Sequence, residues 1–425
     1  MQSVAPKRIL LIHRWFWPDA PPYASMLRSI GRQLVKDGHE VTVLTAQPSY
    51  NKATAGERCP KVGELDGMTV VRVGQMRESK RNFLMRGLNM LLFMFHIRRF
   101  ILRQTKMEQG PFDSVMATTM PPVLVAATAR RAARKTGARF LYHMMDIYPE
   151  IAWASGLAKK NFFTRWLAKV DGRNCSEADR VIVLSRDMRD SIRRRNVPTD
   201  NVVRLNNFRL ESFTAESEAA EALAKIPLDR AAFRVGATFP ILFAGNLGRF
   251  QGLEEILSLV REILPECPGL QLHFLGEGVK RKALEEASGD DLNRFIFFHG
   301  HVSSEEAAIW TRRAALNLVT LQPEIIRYAY PSKTSTCLCM GSPILAVVEG
   351  NTDLANLLTK TGAGFVVKQG DREKLNATIQ YAYAHREPLE VMRERALQVG
   401  KEHFNPETVL PQWTQLYNEL FRSSP

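Results

Sequence analysis

Cysteine is scarce in this 425-residue chain: Cys59, Cys175, Cys267, Cys337 and Cys339 are scattered and odd in number. They lack the paired spacing of a zinc site, which excludes a disulfide scaffold and reads as reduced thiols of a cytosolic protein. Long apolar runs are missing too. The richest, 88–97 (LNMLLFMFHI), is far shorter than the roughly 20 residues that cross a bilayer. The run 9–12 is too short for the apolar region of a signal peptide and is closed by His13 and Arg14. Aromatic residues make up only 9%, yet the 45% hydrophobic content is that of a packed globular protein, so collagen-like and disordered classes are excluded. The dinucleotide fingerprint Gly-x-Gly-x-x-Gly is absent.

Acidic residues are short in one half only. Residues 1–200 hold 34 basic and 17 acidic residues, whereas 201–425 hold 24 and 27, within a net charge of +14. A basic half asks for an anionic partner, or else is a solvated surface tuned for solubility. Nucleic acid is disfavoured, because no helix-turn-helix, zinc-finger or RNA-binding signature accompanies the charge. An acidic membrane surface or a phosphorylated substrate remains. The stretch 83–103 reads either as a buried helix of an α/β domain or as an interfacial helix. In the second reading Arg81, Arg86, Arg98, Arg99 and Arg103 meet anionic headgroups while Leu, Met and Phe enter the acyl boundary.

Short aliphatic runs alternate with helical patterns, the signature of βαβ units. Strands are expected at 8–13, 40–45, 113–118, 139–143 and 180–184, and again at 240–244, 270–275, 295–298, 315–321, 343–347 and 364–367. The fold class is therefore α/β, two Rossmann-like doubly wound domains in tandem. The first is expected over 1–210 and the second over 237–390. The Ala- and Glu-rich segment 211–236, which lacks a strand signal, is the expected linker. The helical tail 391–425 is free to pack back on the first domain.

Glycine turns punctuate three successive strand ends of the second half: Gly245-Asn246-Leu247-Gly248-Arg249-Phe250-Gln251-Gly252, then Gly276-Glu277-Gly278, then His299-Gly300-His301-Val302. Glycine permits close backbone approach to phosphates, and the helix expected at 253–264 would offer its N-terminus to their charge. Each turn alone is an ordinary βα connection; three on one sheet would line one crevice. Ser332 is the expected N-cap of a helix closed by Gly341, and Lys333 lies in its first turn, where a cation needs an anion to offset it. In the first half, Asp146-Ile147-Tyr148-Pro149-Glu150 follows a strand end. The aromatic loop from Trp15 to Tyr23 follows the first strand, either as a wall for sugar rings or as core packing.

Taken in order, DIYPE at Asp146, GNLGRFQG at Gly245, GEG at Gly276, HGHV at His299, PSK at Pro331 and GSPIL at Gly341 resemble the family-4 retaining glycosyltransferases, over about 8–371. The branch most resembled is that of bacterial exopolysaccharide and O-antigen biosynthesis. The resemblance implies a GT-B architecture, two Rossmann-like domains facing an interdomain cleft. It implies hexosyl or deoxyhexosyl transfer with retention, no cofactor and no obligatory metal. The donor would be a UDP- or GDP-linked sugar, held in the second domain by Gly245, Asn246, Gly248, Gly276, Gly278, His301, Val302, Ser332 and Thr336. Arg249 and Lys333 would stabilise the leaving diphosphate. A lipid-linked or polysaccharide-precursor acceptor would occupy the first domain, where His143 or Asp146 orients the sugar or the incoming hydroxyl. The enzyme would be cytoplasmic and peripheral at the inner face of the cell membrane.

The sequence departs from the family's pattern at several places. The usual His-Asp adjacency is spread to His143 and Asp146; Tyr328 and Thr336 stand where an acidic pair is common; Gln251 stands where Lys is common; and Ala20-Pro21-Pro22-Tyr23 replaces a glycine-rich loop. These departures keep a second reading open, a catalytically weak GT-B protein acting as a membrane-associated assembly partner.

Overall fold

The structure is a computed structural model that describes residues 5–19, 21–49, 58–76, 83–210 and 238–422. It divides into two compact units, Met1–Asn206 with Val409–Pro425, and Asn207–Thr408. The expected linker at 211–236, Arg81 and Ala20 lie outside the described residues.

The first unit runs β1 (Arg8–Ile12), α1 (Pro22–Lys36), β2 (Glu40–Ala46), β3 (Val62–Leu65), β4 (Met68–Val73), α2 (Phe83–Gln104), β5 (Ser114–Thr118), α3 (Leu124–Thr136) and β6 (Arg139–His143). It continues with α4 (Glu150–Ala154), α5 (Phe162–Ser176), β7 (Arg180–Val183), α6 (Arg186–Arg193) and β8 (Val202–Arg204). Among the described residues the strand order is β3-β4-β2-β1-β5-β6-β7-β8. Among the described residues of this unit, only β3 and β4 pair antiparallel. Burial of β1 and β5 explains why these strands read as unbroken apolar runs rather than alternating ones.

The second unit runs β9 (Phe239–Ala244), α7 (Leu253–Ile263), β10 (Leu270–Leu275), α8 (Arg281–Ser288), β11 (Ile296–Gly300), α9 (Ser304–Arg313), β12 (Leu316–Thr320), α10 (Lys333–Cys339) and β13 (Ile344–Val347). Next come α11 (Asp353–Thr361), β14 (Gly364–Val367), α12 (Arg372–Ala384) and α13 (Glu387–His403). Its strands, ordered β11-β10-β9-β12-β13-β14, are all parallel. The core of this unit joins Phe239, Ile241 and Phe243 of β9 to Ile256 and Val260 of α7 and Leu272 of β10. Among the parallel strands the order turns between β1 and β5 in the first sheet and between β9 and β12 in the second. The carboxyl ends of strands at such a switch point are where α/β folds bind ligands.

The last helix, α14 (Pro406–Arg422), belongs to the first unit from Val409 onward. The expectation that all of 391–425 leaves the second unit fails for 391–408, because α13 packs on α10. A Cβ on Gly400 would come within 2.6 Å of the Cys339 backbone nitrogen, so glycine there permits the close crossing. Strands β3, β4 and β8 were not expected. The first two form a hairpin whose turn, Asp66-Gly67, takes positive φ at both residues, and β8 is only three residues long.

Candidate active site

The three glycine turns meet at the carboxyl ends of β9, β10 and β11. Gly245 N donates to Leu275 O at 2.8 Å, Leu247 N to Glu277 O at 2.8 Å, and Gly276 N to Gly300 O at 2.6 Å. A Cβ on Gly276 would lie 2.1 Å from Gly245 O, and one on Gly278 2.1 Å from Leu247 O. These two glycines are thus demanded by the neighbouring turn's backbone. Gly245 and Asn246 are exposed at the rim, and Gly248 is buried against Asn246 and Gln251. His301 is exposed, while Val302 packs beside Leu242, Leu275 and Trp310.

Lys333 begins α10, and its Nζ reaches under the first turn. It lies 3.3 Å from the centre of the Phe243 ring, and a Cβ on Gly245 would sit 3.5 Å from it. The ammonium is buried with no hydrogen-bond partner, and burial lowers its pKa to about 7. Gln251 Oε1 and Thr334 Oγ1 are likewise buried and unpartnered. Orphaned buried polar atoms are rare, and three near one strand end call for a ligand. Arg249 is exposed on the same turn.

Two expectations are corrected here. The N-terminus of α7 carries Glu254 and Glu255 in its first turn, so its dipole is already offset by carboxylates and not left open for phosphate. Ser332 occupies the N-cap of α10, but its hydroxyl makes no capping bond; its carbonyl accepts from Ser335 Oγ at 2.8 Å. Thr336 is half-buried on α10, and Tyr328 follows a short 3-10 turn in which Arg327 pairs with Glu349 at 2.7 Å. Sequence reasoning missed Thr320 and Gln369. Thr320 Oγ1 donates to Gln251 O at 2.7 Å and lies 3.3 Å from Gln369 Oε1, while Gln369 Nε2 donates to Glu255 at 2.9 Å. They tie the Gly245–Gly252 turn to the ends of β12 and β14, and no motif marks them.

At the first unit's switch point, His13 Nδ1 bonds Thr118 Oγ1 at 2.7 Å and Tyr23 OH bonds His143 Nδ1 at 2.7 Å. The His13 ring meets Tyr23 edge-on at 4.7 Å, and the His143 ring meets Trp413 of α14 at 5.0 Å. Burial lowers both histidines to about 3, with His143 adding a second, coulombic push on His13. His143 is therefore neutral and only 3% exposed, covered by an aromatic from the far end of the chain. Asp146 is placed differently: half-exposed as a residue, its carboxyl is pushed up to about 6 by burial.

The loop carrying Asp146 is held by a network that sequence reasoning also missed. Arg195 donates to Glu150 Oε1 at 2.8 Å, to Asp171 Oδ2 at 2.7 Å and to Tyr148 O at 2.9 Å. Asp171, fully buried, also accepts from Tyr142 OH at 2.7 Å. The aromatic loop divides its residues: Phe16 and Asp19 are buried, whereas Trp17 is exposed beneath Arg28 at 4.7 Å. Among the described residues no three His, Cys, Asp or Glu side chains group as a metal site.

Comparison with known proteins accounts for both halves of this arrangement. Residues 23–207 match the Glycosyl transferase 4-like domain family and 238–385 match Glycosyl transferases group 1. WbjE of Pseudomonas aeruginosa, named as a glycosyltransferase, is 28% identical over 73% of this chain and 75% of its own. WcaI of Escherichia coli K12, named as a colanic acid biosynthesis glycosyl transferase, is 25% identical over 88% of this chain and 93% of its own. Among solved structures, Anabaena HepE in complex with UDP-glucose superposes with a TM-score of 0.69 at 15% identity, over 97% of this chain and all of that one. The chain belongs to the family-4 glycosyltransferases, enzymes of GT-B fold built from these two domains.

Proposed function

We propose that this glycosyltransferase moves a hexosyl or deoxyhexosyl group, with retention and without an obligatory metal, from a UDP- or GDP-linked donor held by the second unit. The acceptor is a lipid-linked or polysaccharide-precursor glycan held by the first, in cell-surface polysaccharide biosynthesis. The observation that carries this reading is Lys333 Nζ, buried beside the Gly245 turn with no hydrogen-bond partner. A departing diphosphate gains negative charge, and a desolvated ammonium at that point stabilises it more than it would in water. Arg249, exposed on the same turn, supplies a second cation. The nucleotide-sugar complex of HepE and the colanic acid assignment of WcaI support the donor class and the pathway class. In the first unit the proposal gives the orienting of the incoming hydroxyl to Asp146, because His143 is covered by Trp413. The basic first half supports a peripheral position on the inner face of the membrane.

The replacement of the family's acidic pair by Tyr328 and Thr336 favours a second reading, a catalytically weak assembly partner. A panel of UDP- and GDP-sugars screened by thermal shift, followed by turnover assays, separates the two. One donor is expected to raise the Tm and to be consumed. Lys333→Met is expected to lower turnover at least ~100-fold while holding or raising the Tm of the free protein, because it removes a buried unpaired polar group. Unchanged turnover in this variant would discard the site; no donor binding by the wild type would favour the assembly partner.

A further inference from the structure

We infer that α2, α3 and α5 form a face that docks on an anionic lipid bilayer through two separate apolar anchors, one along α2 and an aromatic one at the start of α5. This deepens the membrane part of the reading above and rests on it. Helix α3 lies between α2 and α5 and packs on β5 and β6, so the three share one layer of the first unit. Residues 83–104, 124–136 and 157–170 contain no Asp or Glu at all.

Helix α2 carries two opposed stripes, both apolar apart from Asn89. Asn89, Phe93, Ile97 and Ile101, four apart, are buried against the unit. Leu84, Leu88, Leu91 and Phe95 point outward, with Leu84 79% exposed. The buried-helix reading of 83–103 describes the inner stripe, and the interfacial reading proposed here rests on the outer one. The outer stripe runs on into exposed Arg98, Arg99 and Arg103. Among the described residues no helix is long and apolar enough to cross a membrane.

The second anchor was not expected from the sequence. Phe162 is 88% exposed, and Phe163, Trp166 and Leu157 are exposed beside it. Phe163 and Trp166 stack at 5.7 Å. These rings are held outward by a fixed helix end: Asn161 and Thr164 form a reciprocal capping box, and Thr164, Val170 and Asp171 face inward. Exposed Lys159, Lys160, Arg165 and Lys169 surround them. Large apolar side chains left in water mark an interaction site. Charge decides the occupant. The one acid within the three helices, Asp171, is buried on Arg195, and Glu177 just past α5 pairs with Arg130 and Arg134. The exposed residues of the helices include cations and no acid, which matches a continuous negative surface, and aromatic rings flanked by lysine suit the headgroup boundary.

The placement also addresses the site. Leu167 and Val170 of α5 pack with Val123 and Ala127 of α3, and Tyr148 of the Asp146 loop joins the same cluster. Asp171 of α5 holds Arg195, which holds that loop. A bilayer gripping α5 therefore lies one packing layer from the loop proposed to meet the acceptor.

The test is flotation with phosphatidylcholine vesicles, with and without about one third phosphatidylglycerol. Wild type is expected to float with the acidic vesicles only and to be released by salt. Phe162→Ser with Phe163→Ser, and separately Leu88→Ser with Leu91→Ser, are each expected to lower partitioning about tenfold or more. Lys159→Gln, Lys160→Gln and Arg165→Gln together are expected to remove most of the dependence on acidic lipid, at roughly fivefold per cation. All these positions are exposed, so unchanged thermal unfolding checks the fold. No vesicle binding by the wild type, equal binding to neutral vesicles, or full binding by the phenylalanine variant overturns the inference. Donor consumption in lipid-free solution reads the proposed transferase activity separately, and its loss with vesicle binding intact counts against that reading alone.

Discussion

Lys333 and Asp146 carry opposite charges and share one condition: each is withdrawn from water without enough compensation to keep its ordinary pKa. For Lys333 the folded value, about 7, lies below the usual 10.5. The folded protein then binds fewer protons than the unfolded chain between pH 7 and 10.5, so the free protein gains stability as pH rises through that window. For Asp146 the sign is reversed. Burial lifts it from 3.8 to about 6, the folded state holds the extra proton, and stability falls as pH rises from about 4 to 6. At neutral pH the carboxylate is ionised in spite of its burial, the state a group needs to accept a proton from an incoming hydroxyl. Asp146→Asn is expected to raise the Tm at pH 7 and to flatten its dependence between pH 4 and 6. It should also lower turnover about 100-fold and remove the rise in rate through pH 6. A rate profile that keeps this rise in the variant assigns the proton to another group.

At the level of elements, the glycine turns of the second unit are built against one another. Gly276 has φ +128°, and its missing Cβ would meet Gly245 O at 2.1 Å. Gly276→Ala is expected to cost about 3 kcal/mol or more in urea unfolding, from strain at the turn and displacement of Gly245. It should also weaken donor binding, because Lys333 Nζ lies beside Gly245. By contrast Gly350, with open space around it, is expected to accept Ala within about 0.5 kcal/mol. Such turns were legible in the chain because Gly at a strand end is a local signal. So were the buried strands, whose apolar runs and flanking turns need no partner to be recognised. The β3–β4 hairpin was not seen: its alternation is weak, and only two of its ten strand residues are buried. Nor were Thr320, Gln369 and Arg195 singled out. Each acts by reaching residues 24 or more positions away, and a single sequence carries no sign of that.

Over the whole molecule, charge and connectivity each bind remote parts of the chain together. The excess of cations in residues 1–200 was legible by counting, but its place was not. Folding brings part of it together from α2, α3 and α5, which are separated in sequence by strands and loops. Connectivity does the same for the first unit's site. Trp413, Leu416, Tyr417 and Leu420 of α14 are buried there, and Thr414 Oγ1 donates to Asp37 at 2.6 Å and accepts from Gln33 at 3.1 Å. Trp413 covers His143, so the histidine's low pKa depends on residues more than two hundred positions further along the chain. Its indole N–H is buried without a partner, and what it contributes is apolar bulk. Trp413→Ala is expected to cost about 3–5 kcal/mol in the stability of the first unit, seen as an earlier urea transition for that unit alone. Water reaching the vacated space should also raise His143 from about 3 toward its ordinary 6.5, readable in its imidazole NMR titration. Trp413→Phe keeps most of the bulk and deletes the orphaned donor, so it should stay within about 1.5 kcal/mol of wild type and leave His143 untitrated above pH 5. If both variants behave alike, the tail packs on the unit without shielding its histidine.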